Sequence, residues 1–367
     1  MRLGFSTQEA YFTILGVLIV LSAIGTIIGN WLVSRAQGNE TRLNNLRVVN
    51  SRVRASWPLL IVFAIAFCLG EAALLIFFAF ASFFALREFI ALTPTRRHDH
   101  VILIIAFYIA IPVQYILLGY EEIGLFSLFI PVYLFLTLPV VMALAKDTDR
   151  FLDRVAKVQW GIMLAIFCVS HAPAIATLNL TRFNSSGLLL MLYFLLVLYF
   201  ADLFQIMASA IWGGKPTWSN QYKTYKGIII GSIGALIMGS ALFWMTPFRA
   251  WQAPLMSLLI IVSGTLGALV MSSVKRSLGA VRLDTSMMLT RGALDRMEML
   301  FFSAPVFYHS TIFLFMSKYF LKEISLEREK YGKLFLSTFL LASIKRCSLL
   351  SFTFTAFTFR PRRKGGL

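Results

Sequence analysis

Apolar runs long enough to cross a bilayer recur along almost the whole chain. A membrane-spanning helix needs about 20 mostly apolar residues, and we predict ten spans, at 10–33, 57–70, 71–92, 101–119, 123–145, 157–178, 187–212, 227–246, 253–274 and 298–321. The composition agrees, because 58% of the residues are hydrophobic and only 14% are charged, against about 25% charged in soluble domains. The sequence therefore predicts an all-α fold, a polytopic transmembrane helical bundle of about ten spans.

Two less regular stretches set the limits of the predicted membrane domain. Residues 57–92 are too long an apolar stretch for one ordinary span, and we divide them at Gly70 and Glu71 because a charge is costly deeper in the bilayer. The short second span is expected to recruit residues 53–57. We predict a membrane domain over 1–321 and a tail over 322–367, for which an eleventh span, an interfacial segment and disorder all remain open.

Basic residues are concentrated in alternate connections between the predicted spans. The net charge is +17, and most Lys and Arg residues fall in 34–56, 93–100, 146–156, 213–226 and 275–297. By the positive-inside rule these connections face the cytoplasm and the N-terminus lies outside. We therefore predict a multi-pass protein of a bacterial inner (plasma) membrane. The positive charge suits topology, anionic lipids and phosphate ligands rather than nucleic acid.

One carboxylate lies inside a predicted span, just before a basic connection. Asp202 falls in the cytoplasmic half of the seventh span, where an ionisable side chain is a functional candidate by default; a packing role, paired to a basic residue, is the alternative. The connection ends in Lys223, Thr224 and Gly227. An ammonium group, a hydroxyl group and the N–H groups of a helix N-terminus all favour a phosphate, although a lysine beside a span is also ordinary topology charge.

A second charged group lies between the ninth and tenth predicted spans. It begins at Ser272 and combines cations with carboxylates, namely Lys275, Arg276, Asp284, Asp295, Arg296 and Glu298. Phosphoryl transfer uses such a combination, because carboxylates hold a divalent cation while Lys and Arg neutralise phosphates. A solvated charged loop is the alternative. The connections 34–56, 93–100 and 146–156, in contrast, are interpreted as ordinary topology charge.

At this group the sequence resembles the phosphatidate cytidylyltransferase (CDP-diacylglycerol synthase) family. The family signature contains Ser-x-x-Lys-Arg and, further on, Asp-Arg-x-Asp; it matches here, without a gap, at Ser272, Lys275, Arg276, Gly292, Asp295 and Arg296, with Glu298 in place of the last Asp. Asp202 stands where the family has an Asp at the membrane edge, and Lys223, Thr224 and Gly227 match an upstream element. The resemblance covers about residues 40 to 320.

The resemblance implies a reaction in which phosphatidate attacks the α-phosphate of CTP and releases pyrophosphate, with Mg²⁺ as cofactor. It implies catalytic roles for Asp202, Asp295 and Lys275, and metal binding by Asp202, Asp295 and, if the local backbone allows it, Asp284. Substrate phosphates would be held by Lys223, Thr224, Ser272, Arg276 and Arg296. The expected partners are CTP, phosphatidate and membrane lipids, and a homodimer is possible.

Several positions depart from the family pattern. A Lys-Asp pair of the family falls on Val281 and Arg282, so that a metal-binding carboxylate is replaced by a cation, and a Pro-Gly-His-Gly run falls on 288–291. A Glu of the upstream element becomes Lys226. A more cationic site still attracts anionic lipid but repels Mg²⁺. The sequence thus predicts a cytidylyltransferase with degenerate motifs, and the alternative is a non-catalytic homologue that binds anionic lipid or supports a partner enzyme.

Overall fold

A computed structural model describes the chain over residues 7–35, 40–54, 69–93, 99–144, 149–178, 187–217, 222–278 and 292–314, together with residues 56, 57, 60, 61 and 64. The helices are α1 (Thr7–Arg35), α2 (Glu40–Arg54), α3 (Glu71–Ala91), α4 (His100–Gly119), α5 (Ile123–Leu144), α6 (Phe151–Ala176), α7 (Gly187–Trp212), α8 (Tyr225–Ala241), α9 (Gln252–Ser277), α10 (Ala293–Arg296) and α11 (Leu300–Leu314). A 3₁₀ turn, Leu242–Met245, continues α8, and stretches of π-helix interrupt α4, α5 and α6 at Ile105–Ala110, Phe129–Leu134 and Met163–Cys168.

Eight helices within these described ranges are long and apolar enough to cross a membrane: α1, the five helices α3 to α7, α8 with its 3₁₀ turn, and α9. The predicted all-α membrane bundle is therefore confirmed, and the chain is an integral membrane protein. The predicted span 57–70 lies largely outside the described residues. The predicted span 298–321 corresponds to α11, whose described part is shorter, and the tail 322–367 lies outside the described residues. Two compact units divide the chain, residues 1–309 and 310–367, and every feature discussed below lies in the first.

Helix α2 runs back along α1 instead of forming a loop. Asn50 donates to Asn30 Oδ1 at 2.8 Å, and the Trp57 indole N–H donates to Thr26 Oγ1 at 3.2 Å. A Cβ at Gly29 would overlap the Asn50 side chain, so glycine permits this approach. The interpretation of 34–56 as an ordinary basic connection is thus wrong for residues 40–54, which form a helix packed on both α1 and α7.

Helix α7 is the centre of the bundle, with α8 and α9 against it. The buried Tyr193 hydroxyl lies 2.6 Å from Ser257 Oγ on α9, and Gln205 reaches α9 twelve residues later along α7. Gly231 of α8 lies directly against the backbone of Gln205. These contacts make α7 and α9 run in the same direction with α8 antiparallel to both. The ends of α7 and α9 and the start of α8 therefore lie together, and we call this part of the bundle the basic end.

A buried ion pair joins the start of α4 to the start of α6. Arg154 donates to Asp99 Oδ1 through Nη2 at 2.5 Å and through Nε at 3.1 Å, and both side chains are almost fully buried. Arg154 also donates to the Asp149 carbonyl oxygen at 3.0 Å. The interpretation of 93–100 and 146–156 as ordinary topology charge is therefore wrong for these two side chains, which connect two helices.

This pair predicts a large loss of stability when one partner is removed. Arg154→Met removes the guanidinium group that lies against the nearly buried Asp99 carboxylate, which should lower the free energy of unfolding by about 3–5 kcal/mol. The matched control on the same helix is Lys157→Met, because Lys157 forms an exposed i,i+4 pair with Asp153 and such pairs contribute about 0.3–0.5 kcal/mol. Unfolding in detergent micelles measures both losses, and equal losses would contradict the structural role of Arg154.

Candidate functional site

A carboxylate paired with two cations lies near the basic end. Asp202 of α7 forms ion pairs with both: its Oδ2 lies 2.7 Å from Arg52 Nη1 and its Oδ1 lies 2.8 Å from Lys223 Nζ. The side chains of Arg52 and Lys223 are 11% and 7% exposed. We call these three residues the cation-rich cluster, because two positive charges face one negative charge. Arg52 was missed by the sequence analysis, which assigned it to topology.

The buried Gln205 amide positions Lys223 within this cluster. Lys223 Nζ donates to Gln205 Oε1 at 2.9 Å. The amide nitrogen of Gln205 donates to Ser232 Oγ of α8 at 3.1 Å and to Thr265 Oγ1 of α9 at 3.0 Å. One side chain thus joins three helices and holds the ammonium group. In the sequence, the only sign that Gln205 belongs to the site is its polar side chain inside an apolar run.

The connection before α8 turns Lys223 inward. Thr224 is the N-cap of α8, since its Oγ1 accepts from the Gly227 N–H at 3.0 Å. The Thr224 N–H donates to Ser209 Oγ at 3.0 Å, and the Thr217 N–H donates to the Lys223 carbonyl oxygen at 2.8 Å. The structure therefore places Lys223 against Asp202, while the Thr224 hydroxyl serves as a helix cap.

A second cluster lies where α9 ends and α10 begins. Lys275, in the last turn of α9, forms an ion pair with Asp295, and its Nζ lies 3.7 Å from Glu298 Oε2. The structure thus brings together three signature residues that the chain separates by about 20 positions. We call Lys275, Asp295 and Glu298 the acidic cluster, because two carboxylates face one cation.

The start of α10 is fixed by a residue that the sequence analysis did not assign to the site. Glu88 of α3 accepts from the Leu294 N–H at 2.9 Å. A Cβ at Gly292 would overlap the same carboxylate in its present position, so glycine permits this approach. Helix α3 therefore positions Asp295, although its contacts with α10 cross about 200 residues of sequence.

The remaining predicted site residues lie on or beside α9 and α10. Ser272 donates to the Ala268 carbonyl oxygen within α9 at 2.9 Å. Arg276 and Arg296 are exposed at the ends of α9 and α10. Asp284 lies outside the described residues. Thr265, which contacts Gln205, precedes Lys275 by ten residues on α9, so about 15 Å of helix rise separates these two levels of the basic end.

The two clusters differ in their suitability for Mg²⁺. Magnesium sites use one or two carboxylates together with water and substrate phosphates. Asp295 and Glu298 fit this requirement, because both carboxylates approach one ammonium group. Both oxygens of Asp202 lie within 2.8 Å of a cation. Over the described ranges, no three His, Cys, Asp or Glu side chains come together as a metal site.

Comparison with known proteins gives the family. The sequence profile of the cytidylyltransferase family matches residues 50–314. The chain belongs to this family. It is also similar to an Escherichia coli (strain K12) protein named "Uncharacterized protein YnbB", with 32% identity over 306 residues, covering 80% of this chain and 96% of the relative. The family resemblance drawn from the signature residues is confirmed, and helix α1 lies outside the matched range.

The close approach of α7 and α8 predicts sensitivity at one glycine. A Cβ at Gly231 would meet the Gln205 backbone, whereas a Cβ at Gly234 would meet only the Phe204 ring, at 3.2 Å. Gly231→Ala should therefore separate the helices and lower the free energy of unfolding by about 1–3 kcal/mol. Gly234→Ala is the matched control, since a ring can rotate and alanine favours a helix by about 1 kcal/mol. Thermal unfolding in detergent measures both variants. An unfolding temperature of Gly231→Ala no lower than that of Gly234→Ala would contradict the prediction.

Proposed function

We propose that this protein is a membrane nucleotidyltransferase that makes CDP-diacylglycerol from CTP and phosphatidate. In the proposed reaction an oxygen of the phosphatidate phosphate forms a bond to the α-phosphorus of CTP. The bond from that phosphorus to the oxygen that bridges to the β-phosphate breaks, and pyrophosphate leaves. The observation that carries the proposal is the acidic cluster, in which Lys275, Asp295 and Glu298 meet at the end of a candidate membrane span of a cytidylyltransferase-family chain.

The acidic cluster suits the nucleotide end of the reaction. Mg²⁺, held by Asp295 and Glu298, would neutralise negative charge on the CTP phosphates. Lys275 lies beside both carboxylates and would bind a phosphate oxygen directly. Arg276 and Arg296 are exposed nearby in sequence and would attract the triphosphate from solution. Metal binding by Asp202 or Asp284 remains a prediction.

The cation-rich cluster suits the lipid end. Asp202 would orient Arg52 and Lys223 instead of binding a substrate itself, because both of its oxygens already face cations. The surplus positive charge favours the phosphate of an anionic lipid. We further propose that the basic end faces the cytoplasm of a bacterial inner membrane, where CTP is available.

A non-catalytic, lipid-binding role is the second candidate. It is favoured by the cation at Arg282, where the family has a carboxylate, and by the surplus of positive charge around Asp202. Such a protein would bind anionic lipid through Arg52 and Lys223 without turning over CTP.

An activity assay separates the two candidates. Purified protein should convert labelled CTP and phosphatidate into CDP-diacylglycerol in a Mg²⁺-dependent manner, and Asp295→Asn should lower kcat/KM about 10²–10³-fold because charge stabilisation in the site is lost. Asp153→Asn is the matched control, since Asp153 forms an exposed pair on α6. Wild-type turnover no higher than that of Asp295→Asn would refute the enzyme proposal, and retained lipid binding would then favour the second candidate.

The division of labour between the clusters gives a separate prediction. Arg52→Gln should raise the KM for phosphatidate at least tenfold, because a charge-assisted hydrogen bond to phosphate contributes more than about 1.4 kcal/mol. The KM for CTP should stay within about twofold, because the CTP phosphates are assigned to the other cluster. Arg54→Gln is the matched control, an exposed arginine on the same helix. Equal changes in both KM values would contradict the assignment of Arg52 to the lipid.

A further inference from the structure

An apolar cavity of about 320 Å³ lies between α1, α2 and α7. Leu18 and Gly25 contribute to the α1 wall, Val49 and Val53 to the α2 wall, and Leu203 to the α7 wall. This volume falls in the range of small-molecule sites, about 300–1,000 Å³. Most of its lining is hydrocarbon, so a polar occupant would lose its hydration without compensation.

The cavity opens sideways towards the bilayer. Leu21 and Ile28 line it and are also 56% and 50% exposed on the outer surface of α1. Helix α1 is a candidate membrane span, and none of the residues in its apolar window is fully buried in the described bundle. An occupant can therefore enter from the lipid phase, along the length of a membrane helix.

The cation-rich cluster adjoins this cavity. Val49 and Val53 of α2 line it, together with Ser56, which follows α2, and residues three or four apart on a helix are neighbours on its surface. Arg52 is three residues after Val49 and four before Ser56, so it lies on the adjoining face of α2. On α7, Asp202 stands in the same relation to Tyr199, which also lines the cavity.

Arg52 retains hydrogen-bonding capacity beyond its ion pair. Its Nη1 forms the ion pair with Asp202. Its Nε and Nη2 are buried and have no hydrogen-bond partner among the described residues. A buried donor without a partner has lost its hydration, so an acceptor placed against it stabilises the site. A guanidinium group with two free donors on one edge matches the paired oxygens of a phosphate.

We propose that this cavity holds one acyl chain of phosphatidate while Arg52 binds the phosphate of the same lipid. The choice of phosphatidate rests on the proposed function, whereas the apolar cavity beside a cation with spare donors is observed directly. An acyl chain fits because the occupant must be apolar along α1 and anionic at one end. Since α1 lies outside the range that matches the family profile, this lipid site is completed by a helix beyond the shared region.

Photo-crosslinking tests the site independently of catalysis. The full-length protein in detergent is labelled with phosphatidate that carries a diazirine near the end of one acyl chain, in the presence of excess unlabelled phosphatidylcholine and without CTP. Labelled peptides should map to α1, α2 and α7 around the cavity. Ile28→Trp and Val49→Trp, which fill the cavity, should reduce this labelling at least fivefold. Ile24→Trp is the matched control, because Ile24 has nearly the same exposure as Ile28 (48% against 50%) and does not line the cavity.

The outcomes are distinguishable from those of the activity assay. The lipid site is supported if labelling at the cavity falls in both Ile28→Trp and Val49→Trp while their elution on size exclusion is unchanged. This conclusion holds whether or not CTP is turned over. The lipid site would be overturned if labelling is spread evenly over the protein and is the same in Ile28→Trp, Val49→Trp and Ile24→Trp. This holds even if CDP-diacylglycerol is formed. An Arg52→Gln variant should lose the preference for phosphatidate over phosphatidylcholine that carries the same photoreactive chain, and an unchanged preference would overturn the assignment of the phosphate to Arg52.

Discussion

The cost of placing charge inside a bilayer governs this structure. Asp202 lies ten residues before the end of a membrane-spanning helix, where an unpaired carboxylate is strongly disfavoured. Two cations from different segments, Arg52 and Lys223, compensate it. The ion pairs in turn require α2 to turn back along α1 and the connection before α8 to point inward. The glycines of α8 and the amide of Gln205 follow from the same requirement, because they allow and fix the close approach of α7, α8 and α9.

The two charged clusters are opposite in balance, and this is the basis of the proposed chemistry. Arg52, Lys223 and Asp202 carry one surplus positive charge, while Lys275, Asp295 and Glu298 carry one surplus negative charge. In the proposed reaction, the first cluster would attract a lipid phosphate, and the second would attract a divalent cation with its nucleotide. Since the cation-rich cluster lies deeper than Lys275 along the parallel helices α7 and α9, a lipid would approach from the bilayer and a nucleotide from the aqueous edge.

Sequence reasoning reached the parts of this arrangement that depend on local pattern. Hydropathy predicted the spans, and the spacing of Lys275, Asp295 and Glu298 indicated the family. It missed Arg52 because an arginine beside an apolar run is also the ordinary sign of topology. Glu88 and Gln205 were missed for another reason: their partners lie on distant helices, and nothing in their local sequence specifies those contacts. The buried pair of Arg154 and Asp99 was hidden in the same way.

The substitutions away from the family pattern acquire a physical meaning from this geometry. Lys226 follows the N-cap Thr224 by two residues and adds positive charge near Lys223 in sequence, so it strengthens the attraction of the basic end for anions. The retained Asp295 and Glu298 nevertheless preserve two carboxylates beside Lys275. In the proposed reaction, Lys275 would give up part of its contact with these carboxylates to a substrate phosphate. The carboxylates would then be available to a divalent cation. In the lipid-binding alternative, Lys275 keeps that contact, and the acidic cluster serves only to hold α10 against α9.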